Sequence, residues 1–234
     1  MAKKKVTSRE LRQIEQLVKC FELRKADFER FLEQIKGWVL SSSSLADHIH
    51  SVRGRVKNPD SLKDKLERKI LKAKESGGEF DITQENLFTR INDLVGFRIL
   101  HLHTRQFEEI DRELQAVFRE AEFRLIEPPT ARSWDDESRD YFASIGIKTV
   151  ASDKLYTSVH YVIEANSRTK YTAEIQVRTL AEELWGEVDH IFNYPHESKI
   201  LACREQIKVL ARVASSCSRL VDSIFLSHDD SEGN

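Results

Sequence analysis

The sequence predicts an α/β or α+β domain in which a mixed sheet of about four or five strands lies between helical ends. Three observations carry this. Apolar residues recur at three- and four-residue steps near both termini, short β-branched runs of strand length crowd the middle, and glycine, proline and serine breaks separate them. With 234 residues, 40% hydrophobic, 32% charged and 9% aromatic, the composition is that of an ordinary globular chain with a sizeable core. It excludes a wholly disordered or fibrous protein.

The helical periodicity begins with Leu11, Ile14, Val18 and Phe21 and continues with Phe28, Leu32, Ile35 and Val39, which predicts helix over 8–40, broken by Ser41 to Ser44. From Ser51 to Lys74, nine Lys or Arg stand against three acids, a local excess of six positive charges in a chain whose net charge is −2. Within that run Pro59-Asp60-Ser61 reads as a turn into a helix, with Asp60 or Ser61 as its cap. Gly77-Gly78 is a break, and a short helix opens at Thr83 and ends before Asp93. Strands are expected at Val95 to Leu102, Arg124 to Glu127, Ile145 to Val150, Tyr156 to Glu164 and Tyr171 to Val177, with an amphipathic helix through Phe107, Ile110, Leu114 and Phe118. The polar stretch from Thr130 to Asp140 lacks periodicity and reads as a mobile loop.

Beyond Leu180 two helices are expected, divided near Pro195, with the second over 200–226 and a disordered acidic tail at 227–234. The chain is thus one domain over 1–226, with a core at about 45–195. In the last helix Ile207, Leu210, Val213, Leu220 and Ile224 form a stripe suited to a homo-oligomer, with Cys203 and Cys217 on either side of its middle. No apolar run approaches the roughly 20 residues that span a bilayer, so no membrane contact and a cytoplasmic location are expected. Cys20, Cys203 and Cys217 are too scattered for a disulfide framework and are expected as reduced, buried thiols. No pair of histidines or cysteines has zinc-site spacing, and neither a Walker-type loop nor a Gly-x-Ser-x-Gly elbow occurs.

Four clusters can carry chemistry. Arg55, Lys57, Lys65, Arg68 and Lys69 surround a turn and helix start, which suits a triphosphate as well as a solvated helix face. Asp93 and Arg98 flank Val95-Gly96-Phe97, and an aspartate at a strand edge can hold Mg²⁺, a hard ion that prefers carboxylate oxygen, or simply end an element. Strand alternation puts Tyr156, Ser158 and His160 on one face, an inventory for stacking on a base and contacting phosphates. The same alternation groups Glu174, Gln176 and Arg178, too polar a set for an ordinary core, just before Trp185, Asp189 and His190.

In order, Gly54-Arg55-Val56-Lys57 through Ser61, Lys65 and Arg68-Lys69, then Asp93-Leu94-Val95-Gly96-Phe97-Arg98, then Tyr156-Thr157-Ser158-Val159-His160, then Glu174-Ile175-Gln176-Val177-Arg178-Thr179 with Trp185, His190 and Tyr194, the chain resembles the synthetase domain of the RelA/SpoT family. That resemblance implies a nucleotidyltransferase-like fold and a pyrophosphokinase that moves the β,γ-diphosphate of ATP to the 3′-hydroxyl of GDP or GTP. Carried over, Arg55, Lys57, Ser61, Lys65 and Arg68 would grip ATP and Arg98 would steady its phosphates. Asp93 and Glu174 would share Mg²⁺, with Glu174 also taking the hydroxyl proton. Tyr156 would stack on the acceptor base, and His160, Gln176 and Arg178 would position the acceptor. Leu155 replaces the family's usual glycine, Thr157 its basic residue and Pro195 its lysine, so the acceptor stays open. A toxin relative acting on the 3′-CCA end of tRNA or on adenosine nucleotides, with a cognate antitoxin, is one alternative, and a non-catalytic nucleotide sensor is another.

Overall fold

A computed structural model describes residues 5–194 and 197–232. Pro195 and the last two residues of the expected tail lie outside them. Six strands, β1 (Ser51–Val56), β2 (Val95–His101), β3 (Arg124–Ser133), β4 (Lys148–Ala151), β5 (Thr157–Glu164) and β6 (Thr172–Thr179), form one mixed sheet in the order β1-β2-β6-β5-β3-β4. β2 and β6 run parallel at its centre, as do β3 and β4 at one edge, and the remaining pairs are antiparallel.

Period-two alternation divides the sheet into an apolar and a polar face. On one side Val95, Phe97, Ile99, Val159, Tyr161, Ile163, Ala173, Ile175 and Val177 are all buried. They pack against α1 (Ser8–Leu23), α2 (Lys25–Ser41), α4 (Pro59–Ser76) and α6 (Phe107–Glu120), which contribute Ile14, Phe28, Leu66 and Ile110 among others. On the other side, register places Arg53, Arg98, Gln176 and His160 next to one another across β1, β2, β6 and β5. One row nearer the start of β2 come Arg55, Gly96 and Glu174. The polar face is the floor of the site.

The N-terminal helical stretch is two helices, since the chain turns at Arg24 between α1 and α2. A short α3 (Ser43–Ala46), capped by Ser42, follows. β1 is a strand that lysine and arginine density concealed. The cap of α4 is Asn58, whose side chain accepts the Asp60 N–H at 2.8 Å, while Pro59 occupies the first helical position. Asp60 and Ser61 therefore lie inside the first turn. At the other end Gly77 takes φ 72°, the left-handed cap that favours glycine. A four-residue α5 (Leu87–Arg90) leads to the 3-10 turn that contains Asp93.

β3 runs through Pro128 and Pro129 to Ser133 instead of stopping at Glu127, and the expected loop after it holds α7 (Asp136–Ser144). The register against β5 shifts around these prolines, and β4 pairs with β3 only from Thr130 onward. The prolines thus occupy an irregular edge, where a missing N–H costs no ladder bond.

Last come α8 (Leu180–Asn193) and α9 (Leu201–Glu232), so residues 227–232, expected as tail, continue the helix. A second small core of Trp185, Ile207, Ala211 and Ala214 joins them. The expected apolar stripe splits accordingly: Ile207 turns inward, while Val213, Leu220 and Ile224, with Val209, stay exposed. All three cysteines are free; Cys20 and Cys203 are half-buried and Cys217 is exposed, not buried as expected. No helix among the described residues is long and apolar enough to cross a membrane.

Because Asn58 supplies the cap, Asn58→Ala should lower stability by about 1 kcal/mol in urea unfolding. A change within a few tenths would show that α4 starts without it.

Candidate active site

Two adjoining cavities lie over the polar face. The first, of about 500 Å³, is lined by Arg55, Lys57, Ser61, Lys65, Arg68, Lys69 and Lys72, with Asp93, His190 and Tyr194. The second, of about 370 Å³, is lined by Arg53, Arg55, Asp93, Arg98, Glu174, Gln176, Glu187 and His190. Arg55, Asp93 and His190 belong to both, so the cation-rich pocket opens directly onto the carboxylates.

Asp93 is the hinge of this arrangement. The 3-10 turn before β2 aims it between Lys57, at the end of β1, and Lys65, on the second turn of α4, with 2.8 Å to each ammonium. Burial pushes the Asp93 carboxyl up, but the two lysines outweigh it and hold the group below its ordinary range. The buried Lys57 is lowered, chiefly by burial, against the pull of Asp93. On the same wall Arg68 lies 5.5 Å from the Tyr194 ring, which stacks on His190 at 4.7 Å.

Glu174 is held from two sides: His160 Nδ1 is 2.9 Å from Oε1, and Gln176 Nε2 donates to Oε2 at 3.2 Å. The other His160 nitrogen lies 2.7 Å from Ser158 Oγ, which fixes the ring against rotation. Burial raises the Glu174 carboxyl and the Asp93 charge adds to that; the His160 hydrogen bond and charge, helped by Lys65, bring it below the usual value. Two carboxylates that feel each other's charge across one cavity form a donor set that fits Mg²⁺, an ion that takes one or two carboxylates and completes its shell with phosphate and water. No group of three or more His, Cys, Asp or Glu suited to a metal occurs among the described residues, so phosphate oxygens would be needed to complete such a site.

The structure thus brings Arg55, Lys57, Ser61, Lys65 and Arg68 together in one pocket, and Asp93, Arg98, Glu174 and Gln176, with His160 behind Glu174, at the next. Two expected residues lie beyond the walls of both pockets, Tyr156 with its ring centroid 6.2 Å from that of His160. Tyr156, just before β5, is half-buried with its ring parallel to Trp185, 12° between planes and 6.3 Å between centroids. Trp185 itself is buried and donates to the Ile207 carbonyl at 3.1 Å, a packing role. Arg178 shares a strand face with Glu174 and Gln176, yet α8 folds back over that end of β6 and buries the guanidinium against Glu183. Gly186 leaves the room, since a Cβ there would meet Arg178 Nη1 at 2.7 Å.

Sequence reasoning missed the acids that α8 adds. Glu183 and Glu187 pair with Arg98 at 3.0 and 2.6 Å, and Arg53 reaches Glu187 at 3.2 Å. Their four-residue spacing behind a strand rich in polar residues was the available signal. Glu182, also buried, accepts the Thr157 N–H at 3.1 Å, and its carboxyl is pushed up to about 7 by burial.

This polar face sets a row of cations beside two carboxylates on a mixed sheet flanked by helices. Residues 54–199, more than half of the chain, match the model of a region found in RelA / SpoT proteins, and the chain belongs to that family. It is 27% identical over 182 residues to GTP pyrophosphokinase YjbM of Bacillus subtilis strain 168, covering 74% of this chain and 70% of that protein. Its fold is similar to the small alarmone synthetase 1 of Bacillus subtilis bound to its product pppGpp, with TM-score 0.59, 22% identity, and 92% and 98% of the two chains covered. A GTP pyrophosphokinase family protein from Streptococcus pneumoniae matches with TM-score 0.59 and 19% identity over 88% of this chain and 92% of its own.

Glu182 generates a pH prediction. A carboxyl whose folded value exceeds its unfolded value of 4.5 binds extra protons when folded, so its contribution to stability falls as pH rises from about 4.5 to about 7. Glu182→Gln keeps the acceptor for Thr157 and removes the titration. Wild-type stability relative to this variant should therefore drop across that window in thermal unfolding; a difference independent of pH would contradict the buried, titrating acid.

Proposed function

We propose that the chain is a magnesium-dependent pyrophosphokinase that transfers the β,γ-diphosphate of ATP to the 3′-hydroxyl of GDP or GTP. The observation that carries this is the meeting of the cation pocket and the carboxylate pocket at Asp93 and Arg55. Diphosphate transfer is mostly positioning and charge neutralisation, and these are what such a junction supplies.

In this reading Arg55, Lys57, Lys65 and Arg68 bind the triphosphate, with Ser61 at the wall of the same pocket. Asp93 and Glu174 would hold Mg²⁺, which would supply charge neutralisation for the diphosphate. Glu174, ionised at neutral pH, takes the proton of the acceptor hydroxyl as its oxygen bonds to the β-phosphorus. The bond from that phosphorus to the oxygen shared with the α-phosphorus breaks, and AMP departs. His160 and Gln176 keep Glu174 aimed, and Arg98 meets the phosphates from β2. Tyr156 contributes an aromatic face to the acceptor base. The naming of the curated relative as a GTP pyrophosphokinase supports a guanosine acceptor.

The alternative acceptor, the 3′ end of tRNA or an adenosine nucleotide, draws on one observation. The hydroxyl of Thr157, which by the family resemblance takes the place of a basic side chain, is engaged with Ser133 at 2.7 Å, so it offers an acceptor phosphate no charge.

Asp93→Asn and Glu174→Gln should each reduce transfer more than a hundredfold; Glu174→Gln should leave thermal unfolding cooperative and little shifted, whereas Asp93→Asn, which leaves the buried Lys57 without its carboxylate, should also lower the unfolding temperature. Turnover within tenfold of wild type for either variant would overturn the assignment. Tyr156→Ala should weaken acceptor binding by about 1–3 kcal/mol and ATP far less, because stacking serves only one of the two bases. Equal losses would give Tyr156 a general structural role.

A further inference from the structure

Three arginines and two glutamates form one chain of ion pairs along the edge of the carboxylate pocket. Arg178 pairs with Glu183; Glu183 also reaches Arg98 at 3.0 Å and Arg53 at 3.6 Å; and Glu187 binds Arg98 at 2.6 Å and Arg53 at 3.2 Å. The two acids differ in setting. Glu183 is buried under α8 between Arg98 and Arg178 and does not line the pocket. The Glu187 side chain retains 38% of its exposure and lies in the pocket wall beside Arg98 and Gln176. Both are held by the same guanidinium groups, but only one of them can leave without uncovering a buried charge.

We infer that Glu187 is an affinity-setting residue of the nucleotide site: its carboxylate occupies Arg53 and Arg98 while the pocket is empty and yields them to the incoming phosphates. The inference rests on the reading of this pocket as a nucleotide site and adds a residue that the phosphates must displace. Arg98 is the shared partner. Its guanidinium meets Glu183 on the protein side, which fixes its position, and Glu187 on the pocket side, where a phosphate oxygen makes the same kind of charge-assisted bond. Exchange of one anion for another at a preformed cation lowers the net gain from binding, because the arginine is already satisfied before the ligand arrives. Glu187 stays ionised at neutral pH: burial opposes its charge, but Arg98 and Arg53 hold its carboxyl below the ordinary range. Arg178 acts at one remove. Buried behind Gly186, it holds Glu183 in place through their ion pair, and thereby positions Arg98 without touching the ligand itself.

Calorimetric titration of the full chain with the methylene analogue of ATP and Mg²⁺, at fixed ionic strength, tests this. Glu187→Gln keeps the size of the side chain and removes the competing charge, so it should tighten binding about three- to fivefold, the range expected for one partly exposed ion pair. Arg53→Gln, which removes one of the two guanidinium groups that Glu187 occupies, should weaken binding and reduce, without abolishing, the gain from Glu187→Gln when the two are combined, because the Arg98 pair remains. Wild-type binding together with unchanged or weaker binding by Glu187→Gln would overturn the role of Glu187 and leave the nucleotide site standing. A folded wild-type chain that binds no analogue would instead sink the nucleotide reading, and the role of Glu187 with it.

Discussion

The placement of Asp93 between Lys57 and Lys65 is the constraint on which the site depends. These three residues come from β1, α4 and the turn before β2, and their ion pairs lock the first strand, the basic helix and the central strand in one geometry. A backbone bond from the Lys57 N–H to the Leu94 carbonyl at 2.9 Å reinforces the same junction. Lys57 is buried, so its charge requires Asp93, and Asp93 in turn needs both lysines to stay ionised against burial. The arrangement that stabilises the fold is the one that presents cations and a carboxylate to the two pockets. Structure and chemistry here have the same residues in common.

Around that junction the sheet separates two tasks. Its apolar face is covered by α1, α2, α4 and α6 and holds the register of β2, β6 and β5 rigid. That rigidity sets Arg98, Gln176 and His160 in a row across three strands, and Glu174 one row away, so each polar side chain is positioned by the strand beneath it. α8 then closes one end of the polar face. Its acids neutralise the arginines there, and α9 anchors α8 through Trp185 and the Thr179 to Ser218 contact at 2.9 Å.

Much of the site was legible because its residues obey simple spacing. Alternation alone placed Glu174 with Gln176 and Ser158 with His160, whereas charge density marked the α4 run but suited a solvated helix face as well as a pocket. The family resemblance tied these clusters together, which no single spacing could do. The fate of Arg178 was not legible, because whether a strand residue faces a cleft or a helix depends on where the next helix lies, and that is a tertiary fact. Glu183 and Glu187 were passed over for the same reason. In the fold, β1 was hidden by its arginines and β3 by two prolines that only an edge position permits. α7 was hidden because it buries a single residue, Phe142, and so shows little periodicity.

The central claim is that Asp93 and Glu174 serve one transfer reaction from ATP to a guanosine nucleotide. Incubation of the protein with Mg²⁺ and ATP labelled at the γ-phosphate, with GDP, GTP, ATP and tRNA offered in turn, tests it most directly. The account predicts label on GDP or GTP as a 3′-diphosphate, with one AMP formed for each labelled product. Label confined to tRNA or to an adenosine nucleotide, or no AMP formed with any acceptor, would contradict it.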